Sequence, residues 1–271
     1  MNNLYHFIFG LSENFNEKPF EFFHYLNIKS CYLTQNKPTI YMHCIYEPKN
    51  NIWWEKIKEF VKIITYKELP EVIYNCNNKK VWRIEHQSDI FRLLILKQYG
   101  GVYADIDTLF YKHFFPTFSD KNFVMGMESL YDINNDCLQI NGLCNALIIS
   151  NKDSEFLNIW LDSYNIEYDD YDWNKMSVRK PYELSKKYSN LIHVENTATF
   201  HKYNWNKLYY IDSEDDRYKF YTSDMTDSDI FSKHMAESKI YQILKNIDYN
   251  YFKTNNSLYS RMCKNITGLL E

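Results

Sequence analysis

Glu85-His86-Gln87-Ser88-Asp89-Ile90-Phe91-Arg92-Leu93-Leu94-Ile95-Leu96-Lys97-Gln98-Tyr99-Gly100-Gly101-Val102-Tyr103-Ala104-Asp105-Ile106-Asp107-Thr108-Leu109-Phe110 decides how this 271-residue chain is read. It reads as a helix, a glycine stop, a short strand and then two carboxylates. Residues 90 to 96 are apolar apart from Arg92 and contain no Gly or Pro, so the helix is expected to be buried on most sides. Asp89 and Arg92 lie three apart on one helical face, with Ser88 adjacent. Tyr99-Gly100-Gly101 is a helix C-terminus signal, because Gly takes the left-handed cap conformation without steric cost. Val102-Tyr103-Ala104 then has the character of a strand that delivers Asp105 and Asp107 at its carboxyl end. Residues two apart in an extended segment point the same way, so both carboxylates are expected to face one site. Two like charges on one face are unfavourable unless a cation sits between them. In open α/β sheets ligands bind at the carboxyl ends of the strands. An Asp-x-Asp alone is common in solvated turns. Its combination with Ser88, Asp89, Arg92 and the double glycine, which bulk folding does not require, points to a divalent-metal and phosphate site.

Upstream, Leu4 to Phe9 is an apolar run ending at Gly10 and reads as a first strand. Phe20 to Leu33 fits an amphipathic helix, Thr39 to Tyr46 a strand, Asn51 to Phe60 a helix and Val61 to Thr65 a strand. This β-α-β-α-β order implies a parallel, doubly wound sheet. Trp53 and Trp54 read as packing groups. Downstream, Thr108 to Phe118 reads as a connection and Phe123 to Met127 as a strand. Leu143 to Ser150 reads as another strand, and Asp153 to Tyr164 as a helix capped by Asn151 or Asp153. The acidic, aromatic stretch from Asn165 to Lys180 reads as a solvated loop that could shape a groove. A helix over Pro181 to Tyr188 and a strand over Leu191 to Val194 follow. Asp212 to Asp216 is turn-like, and residues 239 to 271 read as a helical or partly disordered tail. The expected organisation is one α/β domain over 1–271, with a half over 1–110, a second half over 111–240 and a tail over 241–271.

The composition bounds the function. A hydrophobic content of 45% fills a substantial core, and 25 Tyr and 18 Phe stand against only 6 Gly and 6 Pro. A net charge of −4 argues against nucleic acid as partner. No stretch approaches a membrane span, and the first residues carry no signal-peptide pattern. Six cysteines without a Cys-x-x-Cys pair read as reduced, mostly buried thiols, so a cytoplasmic location is expected.

The run Ser88, Asp89, Arg92, Gly100, Gly101, Tyr103, Asp105, Asp107 resembles the core of the GT-A glycosyltransferases with a sugar-binding region containing DXD. These include glycosyltransferase family 32, and the run is also similar to the glucosyltransferase domain of large clostridial toxins. The resemblance implies a GT-A fold: a Rossmann-like, mostly parallel central sheet flanked by helices. It implies a retaining transfer of a hexose from a nucleotide-sugar, with a UDP-sugar favoured, to a glycan, lipid-linked or protein acceptor, as in polysaccharide biosynthesis. Mn²⁺ or Mg²⁺ would be the cofactor, with Asp107 as direct ligand and Asp105 shared between metal and ribose or sugar hydroxyl. Asp89 would bind sugar hydroxyls, Arg92 would fix that carboxylate and reach sugar or phosphate, and Ser88 would touch ribose. Tyr103 belongs to the same motif. Phe9 and Gly10 read either as contacts to the nucleotide base or as ordinary strand residues. Asn145, within Gly142-Leu143-Cys144-Asn145-Ala146, reads as a donor-facing amide or a satisfied core amide. His234, in Phe231-Ser232-Lys233-His234-Met235-Ala236-Glu237-Ser238, reads as a metal ligand completing the shell or as a surface histidine. Ala198 to Trp205 resembles an acceptor-side segment of the family but lacks its proline.

Two alternatives stand beside this one. Asp105-Ile106-Asp107-Thr108-Leu109 also fits the nucleophile motif of haloacid-dehalogenase phosphatases, although that motif sits on the first strand of its fold. A non-catalytic module binding a nucleotide-sugar or glycan would keep the same residues without turnover.

Overall fold

The computed structural model describes residues 3–201, 206, 230–235 and, further on, 241–242, 244–246, 248–254 and 264. Seven strands form one sheet: β1 (Leu4–Ile8), β2 (Thr39–Cys44), β3 (Val61–Thr65), β6 (Gly101–Ala104), β8 (Phe123–Asp132), β9 (Cys137–Ser150) and β10 (His193–Glu195). Their spatial order is β10-β8-β9-β6-β1-β2-β3. Strands β1, β2, β3 and β6 pair in parallel, β10 pairs in parallel with β8, and β9 runs against both β6 and β8. The expected mixed α/β, mostly parallel sheet flanked by helices is therefore what the chain builds. Its second half departs from simple parallel winding through a long β8–β9 hairpin, well beyond the expected 123–127 and 143–150. A two-residue ladder, β4 (Asn75–Cys76) with β5 (Lys79–Lys80), stands apart from the sheet.

One apolar cluster gathers under the sheet around Phe7, Phe23, Leu26, Trp54 and Phe110. The other, around Phe91, Leu96, Ile148 and Trp160, covers the opposite side. Helix α1 (Phe22–Thr34) is not the amphipathic helix its spacing suggested. Phe22 to Ile28, Ser30 and Cys31 are all buried, polar members included. These polar groups have work in the interior, as buried ones must. Asn27 donates to the Ile106 carbonyl, the Ser30 hydroxyl accepts from Phe110 N–H, and Gln35, at the end of α1, accepts from Tyr5 and from Phe114 N–H. The helix thus pins the segment that follows the two acids. That segment is no plain connection. It holds β7 (Thr108–Phe110) and a turn of helix, α5 (Phe115–Phe118).

Helix α2 (Ile52–Ile57) is capped by Asn51, whose side chain accepts from Trp53 and Trp54 N–H, and Trp54 is fully buried. A short helix, α3 (Glu71–Tyr74), precedes the central one. Helix α4 (Ile84–Tyr99) follows the expected bounds, with Gly100 closing it by an N–H to Leu96 carbonyl bond of 2.8 Å. Gly100 and Gly101 have φ of +66° and +99°, and an added Cβ would lie 2.8 Å from Lys152 N and 2.5 Å from Leu4 O. Both glycines are compulsory here.

Helix α6 (Glu155–Glu167) takes Ser154 as its N-cap in place of Asn151 or Asp153, with Leu157 N–H donating to the Ser154 hydroxyl. The stretch read as a solvated loop instead carries a π-helical turn, Lys175–Arg179, running into α7 (Lys180–Lys187). It buries Met176 and Val178, and Gly142 leaves room for it, since a Cβ there would lie 2.5 Å from the Val178 carbonyl. Helix α8 (Thr197–His201) and strand β11 (Ser232–His234) complete the site-bearing part. Residues 202–205, Asp212 to Asp216, Ser238 and most of the expected tail lie outside the described residues. Among the described residues no helix is long and apolar enough to cross a membrane.

Candidate active site

Every candidate named from the sequence lines one cleft of about 690 Å³ at the carboxyl ends of β1 and β6: Phe9, Gly10, Ser88, Asp89, Arg92, Tyr103, Asp105, Asp107, Asn145 and His234. That volume is of the size of small-molecule sites. The acids do not reach it along an extended strand. Asp105 to Asp107 form a turn closed by a Thr108 N–H to Asp105 carbonyl bond of 2.9 Å. The carboxylates converge across that turn, on a floor held by α1 from below and by the Asp105 N–H to Ala146 carbonyl bond at the side.

One wall of the cleft centres on Arg92. Its NH1 donates to Asp105 Oδ1 and to the Asn145 carbonyl, both at 3.0 Å. NH2 meets Asp89 Oδ1 at 3.0 Å and the Ser88 hydroxyl at 3.3 Å, and Nε donates to the Ser88 carbonyl. A guanidinium has five N–H groups, and each has found a partner. Arg92 lines the cleft and joins Asp89 to Asp105 there. Burial works against its charge, but Asp105, Tyr103 and Asp89 more than offset that and hold it cationic. The Tyr103 ring lies under the guanidinium, 4.7 Å from centroid to Cζ, and its hydroxyl donates to Asp105 Oδ1 at 2.6 Å. Burial raises Asp89 above the usual carboxylate range, with Arg92 and the Asn145 amide, 2.7 Å away, pulling it back.

Asn145 owes its place to an irregularity in the sheet. Met125 pairs with Ile148 but Gly126 pairs with Cys144, so residues 145 to 147 of β9 have no partner on β8. This bulge re-aims the backbone, as bulges beside sites do. It turns the Asn145 amide onto Asp89 and its carbonyl onto Arg92. Asn145 lines the cleft with its amide donating to Asp89.

His234 reaches the acids because β11 pairs antiparallel with β7, His234 opposite Thr108, and Met235 N–H donates to the Asp107 carbonyl. Its Nε2 is 3.3 Å from Asp107 Oδ1 and 3.8 Å from Asp105 Oδ2. Burial disfavours its charge, yet Asp107 raises its pKa well above the ordinary histidine value. One ligand atom each from Asp105, Asp107 and His234 fall within 4.8 Å of one another. Two carboxylates and an imidazole suit a hard or borderline divalent cation. Asp105 divides its labour, with Oδ1 taken by Arg92 and Tyr103 and Oδ2 on the side of His234.

Phe9 and Gly10 lie at the far end of the cleft, where Phe9 stacks on Phe15 with centroids 5.5 Å apart and planes 11° from parallel. Residues that the sequence did not single out also line the cleft. Glu128 accepts from the Asn141 amide at 2.6 Å, Trp173 is 55% exposed beside Asn174, and Cys144 is buried. His201 follows behind, its ring centroid 6.3 Å from that of His234. Burial and the neighbouring His234 depress its pKa to about 3. Nothing in local spacing marks these positions, since the bulge, the π-turn and α8 bring them in.

The phosphatase alternative is set aside by the same geometry. Asp105 follows β6 and not the first strand, and one of its oxygens is already clamped by two donors.

Residues 25–126 match the family described as glycosyltransferase sugar-binding region containing DXD motif. Glucan organizing enzyme 1 of Cryptococcus neoformans var. grubii is 27% identical over 97% of this chain and 70% of its own. Among solved structures, the galactosyltransferase LgtC, in complex with donor and acceptor sugar analogs, covers 98% of this chain and 95% of its own at 12% identity, with a TM-score of 0.44. PaToxG glycosyltransferase covers 99% and 87% at 16% identity, with a TM-score of 0.40. The matched stretch holds the helix, the double glycine and both acids, so residues 25–126 are similar to the DXD-containing sugar-binding region of glycosyltransferases.

Proposed function

We propose that the chain transfers a hexose from a nucleoside-diphosphate sugar, a UDP-sugar first among these, to an acceptor hydroxyl with retention of configuration, in a manner dependent on Mn²⁺ or Mg²⁺. The observation that carries this reading is the convergence of Asp105, Asp107 and His234 beside the Arg92 clamp. Those three residues would hold the cation, which when bound neutralises charge developing on a departing diphosphate. The protein's own groups do the rest. Both described contacts of Asp89 fall on Oδ1, which leaves Oδ2 to accept from sugar hydroxyls. Arg92 holds Asp89 and Asp105 in register, so their geometry is set before a ligand arrives. Phe9 and Phe15 offer an aromatic surface for the base, and Ser88 lies where ribose would pass. Residues 1–110 would serve the donor and 111–240 the acceptor, within one domain. Of glycan, lipid-linked and protein acceptors, a glycan is placed first because the fungal relative is named for organising glucan.

The test is a panel of nucleotide-sugars incubated with Mn²⁺ and assayed for hydrolysis and transfer. Asp107→Asn should lower the rate by roughly 10²–10³-fold while leaving the fold intact. Turnover of an aryl phosphate alone would overturn the reading in favour of a phosphatase. UDP binding without turnover of any donor would leave a binding module.

A further inference from the structure

We propose a second metal site behind the acid pair, in which Cys144, His201 and His234 hold a thiophilic divalent ion, zinc being the best match. One ligand atom from each of the three lies within 4.8 Å of the other two, with Cys144 and His201 buried and His234 partly so. Both ring nitrogens of His201 are buried without any hydrogen-bond partner among the described residues, and the side chain is only 5% exposed. Buried imidazoles ordinarily keep a partner. Elsewhere in this chain His6 and His43 do so, joined to each other at 3.1 Å, with His6 also on the Gly100 carbonyl and His43 on the Tyr66 hydroxyl. Among the described residues no proton donor meets a His201 lone pair, which leaves that nitrogen open to a cation.

The surroundings preserve room for that ring. Gly126 pairs across the sheet with Cys144, and a Cβ at Gly126 would come within 3.0 Å of the His201 Cδ2 and Nε2. The α8–β11 junction fixes the third member: Phe231 N–H donates to the Thr199 carbonyl, and the Ser232 hydroxyl to that of Phe200. One thiolate with two imidazoles is a donor set for zinc, whereas the carboxylates in front suit Mn²⁺ or Mg²⁺. Binding releases the Cys144 thiol proton to solvent. Three protein ligands leave a fourth position, and because Cys144 lines the cleft, water or a cleft ligand can fill it. The inference differs from the donor-cation reading in Cys144 and His201 and shares His234, whose neutral imidazole has one free lone pair and so serves the two ions in turn.

The test uses the full chain, stripped with a chelator and titrated with Co²⁺ as a spectroscopic stand-in for zinc. A thiolate-to-cobalt charge-transfer absorption saturating near one ion per chain is expected. It should vanish in Cys144→Ser, persist in Cys137→Ser and in Asp107→Asn, and need roughly tenfold or more cobalt in His201→Gln. No thiolate band in folded wild type overturns the proposal, as does a band that survives Cys144→Ser or is lost with Asp107. Should Cys144→Ser fail to fold, X-ray absorption of the zinc-loaded wild type decides. One sulfur with nitrogen neighbours supports the site, and a shell without sulfur overturns it. Loss of Mn²⁺-dependent UDP binding in Asp107→Asn with the cobalt band intact shows that the two readings fail separately.

Discussion

The two walls flanking the acid pair are built on opposite principles. On the Arg92 side, five guanidinium N–H groups, two carboxylates, a phenol and an amide close on one another. On the Cys144 side, His201 is buried with both nitrogens unpartnered among the described residues. A saturated network is rigid and costly to break, because each removed partner strands a buried charge. An unsaturated pocket is the reverse, since it carries a penalty that only a ligand or a substitution can lift. The cleft therefore pairs a finished wall with an unfinished one.

Replacing Arg92 should do the greatest damage. Arg92→Met leaves Asp89 and Asp105 facing each other uncompensated, and a loss of about 3–5 kcal/mol in urea unfolding is expected, together with loss of transfer. A stability within error of wild type would break the description of that wall as a closed network.

Acid should come next, acting on the histidines that are partnered but neutral. Burial lowers His6 from 6.5 to about 4 and His43 to about 3. Their folded pKa values lie below the unfolded one, so the unfolded chain binds more protons in that window. Stability is full above about pH 6.5 and falls as pH drops toward 4, with His6 alone contributing about 3 kcal/mol. Urea midpoints measured between pH 7 and pH 4.5 check this; a flat profile would contradict it.

The smallest effect has the opposite sign. In chelator-treated protein, His201→Leu removes a polar ring that has no hydrogen-bond partner among the described residues, at similar volume, so it should be neutral or stabilise by about 1 kcal/mol. Thermal melts of the two variants side by side sharpen the contrast: Arg92→Met falls, His201→Leu does not.

How far the sequence carried the reading follows from where each residue's partners lie. Helix α4, Gly100-Gly101, Tyr103 and the two acids are contiguous, so spacing alone exposed both their structure and their shared site. The β1-α1-β2-α2-β3 order was legible because period and turn signals are local. The turn at Asp105–Asp107 was not, since the hydrogen bonds that shape it come from Ala146 and from β7. Nor was the buried polar face of α1, whose Asn27 and Ser30 answer carbonyls and amides some eighty residues away. His234 was readable only through resemblance, and Cys144 with His201 not at all. A bulge, a three-residue strand and a five-residue helix assemble them from distant parts of the chain.

The central claim is that the acid pair holds the donor's diphosphate through a divalent cation. Titration calorimetry of UDP into wild type and Asp107→Asn, each with and without Mn²⁺, tests it most directly. Binding that requires Mn²⁺ in wild type and weakens by roughly a hundredfold in the variant is the expected result. UDP affinity indifferent to both the metal and the substitution would contradict it.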